Sequence, residues 1–287
     1  MNLNDRALLV QLNISQWTAR KLDKRATKDV AAMNNAAEVA GRYNKSLLPM
    51  NDYLDNVQKK ATLIRQRYYQ NTLPWGMDGT QMLPSANYLA FMTDFRKQKS
   101  EWEYAVGQFL DHYDYMREQA KRLLGSLYSD SDYPSESEIA TKFKMDMVVM
   151  PVPSADFRVQ LADDELNHIR GELEMRLAAA QQTAVKEVWD RLFERVQHIA
   201  EKLADPAAIF RDSMLENARE ICAILPRLNF TDDPNLEALR AEVELKLVNH
   251  HPDTLRNNLD VRRDTALEAA DIMDRMRAFM GGINAGV

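Results

Sequence analysis

The sequence predicts a mostly α-helical fold: an elongated protein with long antiparallel, coiled-coil-like arm helices and a small antiparallel β-sheet module of about three strands. Three observations predict it. Apolar residues recur in steps of three and four over most of the chain, as one face of a helix requires. Only nine glycines occur in 287 residues, while 28% of residues are charged and 15 are methionine, a composition suited to amphipathic helices. Two stretches instead alternate with period two, and they supply the strands.

The first alternating stretch opens the chain, where Leu8, Val10, Leu12 and Ile14 lie on one face of ALLVQLNIS. Thr27 is the expected cap of a helix carrying Val30, Met33, Ala37, Ala40 and Tyr43. Ser46 with Pro49 starts a second helix, on which Met50, Leu54, Val57, Ala61, Ile64 and Tyr68 form a seam with a seven-residue repeat. The irregular stretch NTLPWGMDGTQMLPSANY (residues 71–88) then interrupts the helical pattern.

A long helix is expected over residues 86–128, with Trp102, Val106, Phe109, Tyr113, Met116, Ala120, Leu123 and Leu127 as its seam. After the turn formers SDSDYPSESE, a hairpin is expected from Phe143, Met145, Met147 and Val149, then PVPSAD, then Phe157, Val159 and Leu161. Its partner in the sheet is the strand Leu8 to Ile14.

The second long helix starts at Asp163 or Asp164 and carries Leu166, Ile169, Leu173, Leu177, Ala180, Ala184, Val188, Leu192, Val196, Ile199 and Leu203. Paired antiparallel, the two long helices form an arm roughly 60 Å in length at 1.5 Å per residue. Pro206 is expected to open a further helix that ends before Pro226. Asp232 or Asp233 begins another, and His250 to Asp253 turn into a last helix ending near Met280. The whole, 1–287, reads as a single elongated helical chain, with residues 129–162 as a small β-hairpin module inserted between the two long helices.

The charge is uneven. Residues 1–71 hold 12 Lys+Arg against 6 Asp+Glu, a formal +6, which leaves 25 against 37, or −12, for the remainder. A basic N-terminal part either meets an anionic partner or lies against the acidic remainder of its own fold. Cys222 is the single cysteine, so no internal disulfide forms and a reducing cytoplasm is expected. No signal-like segment and no apolar run of membrane-spanning length occurs, so no membrane association is expected.

Motifs that carry chemistry are absent. There is no HExxH, and one cysteine excludes a thiolate zinc site. GxGxxG, GxxxxGK[ST] and GxSxG do not occur. Catalytic residues, cofactor-binding residues and metal ligands are therefore expected to be absent, and the chain is read as no enzyme. One cluster stands out: IRQRYYQNTLPW, residues 64–75, gathers Arg65, Arg67, Tyr68, Tyr69 and Trp75 at a helix end within the basic part. These residues suit a partner or nucleic-acid contact, because guanidinium groups pair with phosphates and rings stack on bases. They equally suit a structural role, with Tyr68 in the seam and Trp75 as a plug of the loop.

The order NTLPWGMDGTQMLP, GSLYSDSDYPSESEI, FKMDMVVMPVPSADFR resembles the uncharacterised phage and proteobacterial family called domain of unknown function 3150. The resemblance runs from LLVQLNISQW over nearly the whole chain and places Trp75, Gly76, Gly79 and Pro84 in the family's pattern. It implies a phage-associated protein, in the host cytoplasm if phage-encoded, whose family is often encoded near a MoxR-type AAA+ ATPase and a von Willebrand factor A-like protein. The expected function is that of an interaction or assembly factor with a protein partner, an AAA+ ATPase being the one implied. The alternative is a nucleic-acid-binding protein of phage DNA metabolism that uses the basic N-terminal part. Seams of unequal repeat also lead us to expect a homo-oligomer.

Overall fold

The computed structural model describes residues 3–76, 79–154 and 163–284, with side chains through residue 281. Strand β1 (Ala7–Ser15) leads to β2 (Arg20–Leu22), helix α1 (Lys24–Met33), β3 (Asn44–Ser46) and α2 (Asp52–Asn71). Strands β4 (Leu73–Pro74) and β5 (Thr80–Pro84) follow, then α3 (Ser85–Asp111), α4 (Tyr113–Leu124), the short α5 (Glu136–Ala140) and β6 (Lys144–Pro151). The remainder is helical: α6 (Asp163–Ala204), α7 (Ser213–Leu228), α8 (Pro234–Val243) with a π turn at Glu244–Val248, α9 (Pro252–Asn257) and α10 (Leu259–Asn284). The fold is mostly α with a small antiparallel sheet, as the periodicity predicts.

The sheet is larger than expected. Among the described residues four strands run in the order β4-β5-β1-β6, and β2 with β3 forms a separate ribbon. β6 neighbours β1, the pairing the alternation predicts, whereas the expected second hairpin arm, Phe157, Val159 and Leu161, lies outside the described residues. The two further strands come from the stretch read as irregular. β5 pairs antiparallel with β1 from Ala7↔Pro84 to Gln11↔Thr80, and β4 adds to its other side. Pro74 is tolerated there because β4 is an edge strand. Gly79, at φ +73°, holds a left-handed backbone conformation that glycine adopts without strain.

The chain divides into two compact units that alternate in sequence. One contains Met1–Gln11, Tyr68–Phe91 and Val148–Val287, the other Leu12–Arg67 and Met92–Met147. The expected 129–162 module is split between them. Nothing in composition marks the division, because it is made by long-range packing.

In the first unit the C-terminal half of α6 is the central helix. Val188, Trp189, Leu192, Val196, Ile199 and Leu203 are buried, and α10 and α7 pack against it. These two helices, in place of the other long helix, are its partners. Three arginines close helix ends in this unit. Arg191 donates to the carbonyls of Tyr69, Gln70 and Thr72 at the end of α2 (3.1, 3.0 and 2.8 Å). Arg219 does the same for Val248 and His250, and Arg262 for four carbonyls at the end of α6. The last carbonyls of a helix have no intrahelical donor, and a guanidinium carries five N–H groups. This capping moves an expected boundary. Residues 205–212 leave the helix to present carbonyls to Arg262, so α7 begins at Ser213 and not at Pro206. Pro226 lies inside α7 rather than beyond it; it cannot donate to Cys222 O, and Arg240 Nη1 approaches that oxygen at 3.5 Å.

In the second unit α2 and α3 run antiparallel. Lys60 pairs with Glu101 (3.4 Å), Arg67 with Asp94 (3.2 Å), and the Tyr53 ring stacks on His112 at 4.2 Å, three links in opposite sequence order. The α2 seam of Leu54, Val57, Ala61 and Ile64 is buried, while Met50, at φ +57°, precedes the helix and is exposed. α2 starts at Asp52, with Asn51 Oδ1 accepting from Leu54 N. The expected single helix 86–128 breaks at His112, whose φ/ψ of −105°/5° is not helical, yet the seam continues through Phe109, Tyr113, Met116 and Ala120. Trp17, Trp102, Phe109, Tyr113 and Phe143 form one aromatic cluster on this seam.

Candidate functional site

The second unit carries an arm, residues 23–43, that leaves and re-enters through the β2–β3 ribbon. The register Arg20↔Ser46, Lys21↔Lys45, Leu22↔Asn44 brings its two ends together. Asp23, not Thr27, caps α1: its carboxylate accepts from Ala26 N at 3.0 Å. Thr27 ties the ends instead, donating from Oγ1 to Asp23 O and accepting from Tyr43 N. The far end of α1 is closed by a left-handed Asn35 (φ 50°), with Ala36 N donating to Ala31 O and Asn35 N to Ala32 O. That is a Schellman motif with asparagine in the glycine position. The expected continuation of this helix through Ala37, Ala40 and Tyr43 is therefore stopped by its own cap.

The base of the arm is an ion cluster. Lys45 Nζ stands 2.9 Å from Asp23 and 2.7 Å from Asp132, and donates to Leu127 O at 2.6 Å. Lys21 also pairs with Asp132, at 2.7 Å. Lys45 is 6% exposed. Burial alone would lower its pKa, but the bonds to Asp132 and Asp23 outweigh burial and raise it. Asp23 is held below the usual carboxylate range by the Ala26 amide and then by Lys45. At Asp132 burial opposes ionisation, and the Lys21 and Lys45 ammonium groups overcome it and lower the pKa.

The arm itself is barely buried. Of the residues of α1 only Ala26 is buried, while Val30 is 49%, Met33 83% and, on the return loop, Val39 94% exposed. Val30, Ala31, Ala37, Ala40, Gly41 and Tyr43 line a shallow apolar groove of about 320 Å³ between helix and loop. Residues 23–43 hold four Lys/Arg against three Asp/Glu, a formal +1, and Lys28 pairs with Glu38 at 3.8 Å. The arrangement offers an apolar strip bordered by charges of both signs. No sequence motif announces it, but KRATKDVAAMNNAAEVAGR has too few large apolar residues to fill a core, and that was the available signal.

The residues singled out from the sequence are distributed as follows. Tyr68 is buried, and its hydroxyl donates to Val10 O (2.8 Å) and Gly79 O (3.2 Å). Trp75 is 7% exposed, in the core with Leu73 and Met82. Tyr69 is exposed, its ring edge-on to Tyr68 at 5.1 Å. Arg65 is half-buried, and Arg67 is exposed and paired with Asp94. Two of the three rings thus face the core, and Tyr69 alone presents a face to solvent.

Among the described residues no group of three or more His, Cys, Asp or Glu could hold a metal, and no helix is long and apolar enough to cross a membrane. Cys222 is buried, and burial pushes its thiol up to about 11, away from the thiolate needed for nucleophilic chemistry. No family model, curated protein or solved structure matches the chain.

Proposed function

We propose that the protein is a non-enzymatic interaction or assembly factor whose arm, residues 23–43, docks on an apolar surface of a partner protein. One observation carries this reading: α1 is capped at both ends and anchored by the Lys45 cluster, yet Val30 and Met33 on it and Val39 on the return loop stay in water. A ten-residue helix is marginal in isolation, so caps and anchor hold a shape that its own burial does not support. Burying such a side chain against a partner contributes on the order of 1.5–3 kcal/mol.

The family resemblance suggests a phage-type protein of the cytoplasm working with a MoxR-type AAA+ ATPase, and that purified ATPase is the first partner to test. Titration calorimetry is expected to detect binding that a Val30→Asp, Met33→Glu, Val39→Asp triple variant loses by tenfold or more without losing helix content. Equal binding by the variant would overturn the reading. The triple variant also decides whether a second copy of this chain is the partner, since sedimentation would then show a dimer that it abolishes.

A nucleic-acid reading is supported by the exposed ring of Tyr69 and, separately, by the guanidinium groups of Arg65 and Arg67. It predicts oligonucleotide binding whose salt dependence falls when both arginines become alanine.

A further inference from the structure

A groove of about 640 Å³ lies where the end of α6 meets the start of α10 in the first unit. Ala200, Leu203, Ala204, Leu259, Ala266 and Leu267 make its walls, and Arg262 also lines it. The volume falls within the range of small-molecule sites, roughly 300–1,000 Å³. Apolar walls with charged groups at their edge, here Glu201, Asp260, Arg262 and Arg263, are what an amphiphile requires.

Arg262 is the unusual member. It is 5% exposed, and among the described residues it forms no ion pair. Its Nε donates to Leu203 O (3.3 Å), and its Nη2 is shared among Lys202 O (2.9 Å), Asp205 O (2.5 Å) and Ala208 O (2.9 Å). All four acceptors are neutral carbonyls, and Nη1 makes no hydrogen bond among the described residues. Helix-end carbonyls and the Phe210 ring, whose centroid lies 5.5 Å from the guanidinium carbon, compensate part of the charge, but no carboxylate does so among the described residues. The rim offers little competition for an anion: Arg263 is already paired with Asp260 (3.4 Å) and Asp264 (3.6 Å), while Glu201 and Asp260 exclude a highly charged head. One unengaged guanidinium nitrogen suits a singly charged head group.

We propose that this groove binds a small apolar carboxylate, its tail on the alanine and leucine walls and its carboxylate on Nη1 of Arg262. The site is independent of the arm and of its partner.

The test uses the full chain and decanoate below its micelle concentration, followed by titration calorimetry and thermal shift. Decanoate is expected to bind saturably and raise Tm, while decanol, with the same tail and no charge, binds at least tenfold more weakly, and acetate does not bind. Leu267 is 64% exposed, so Leu267→Glu removes a wall and adds a repelling charge without disturbing the core. It is expected to weaken decanoate at least tenfold while leaving the unliganded Tm unchanged. Three results would each overturn the proposal: no saturable decanoate binding, equal binding of decanol, or undiminished binding by Leu267→Glu.

Discussion

Lys45 and Asp132 form a 2.7 Å ion pair in which both side chains are more than nine-tenths buried, at the point where the β2–β3 ribbon meets the turn after α4. Removing Lys45 takes away the ammonium shared by Asp23 and Asp132 and leaves Asp132 with Lys21, at 2.7 Å, as its remaining partner, so buried carboxylates lose much of their compensation. Lys45→Met is expected to destabilise the second unit by about 3 kcal/mol, read by urea denaturation. A loss under about 0.5 kcal/mol, the range of an ordinary surface change, would show that the cluster is solvated.

The same cluster sets a pH dependence. Asp23 and Asp132 titrate below the unfolded value of about 3.9, so their contribution is complete above that pH and is lost as pH falls through the folded values. Lys45 titrates above its unfolded value of about 10.4, so its contribution is complete below that pH and is lost as pH rises through the folded value. The stability gap between the parent and Asp132→Asn is expected to be constant at neutral pH and to close below about pH 4. A gap that stays open there would contradict the assignment.

Arg191 holds three carbonyls at the end of α2. Arg191→Met strands them and is expected to cost about 2 kcal/mol, with faster hydrogen exchange in the last turn of α2. Arg191→Lys keeps the charge but lacks the planar fork, so it is expected to recover less than half of the loss.

Trp75, packed with Leu73 and Met82, behaves as a core residue of the first unit. Trp75→Ala is expected to cost roughly 3–5 kcal/mol, and a variant that melts like the parent would make the loop a contact surface instead.

The arm also predicts a contrast in the free protein. Residues 23–43 bury one side chain of α1, so their amides are expected to exchange well before those of α6, where Val188, Trp189, Leu192, Val196, Ile199 and Leu203 are buried. Protection of the arm equal to that of α6 would mean that something already covers it.

Local patterns in the sequence determined the helical class, the seams of α2, α3 and α6 and the strand β1. Each depends on side chains recurring along one face, a property of the chain within a few turns. The partners of those seams were decided only by the tertiary structure. The repeat of α6 and that of residues 102–127 differ, and each helix found neighbours in its own packing environment, α10 and α7 for one and α2 for the other. The strands in residues 71–88 were hidden because both are short and β5, on which β4 depends for its pairing, is itself held by β1, some seventy residues earlier. Of the candidate contact cluster, the sequence supplied the residues but not their directions: Tyr68 and Trp75 turned inward because carbonyls of Val10 and Gly79 and the side chains of Leu73 and Met82 awaited them there. The exposed arm and the Arg262 groove were illegible for the same reason. Exposure and the pairing of a buried charge depend on which distant groups come near, and periodicity along the chain carries no record of that.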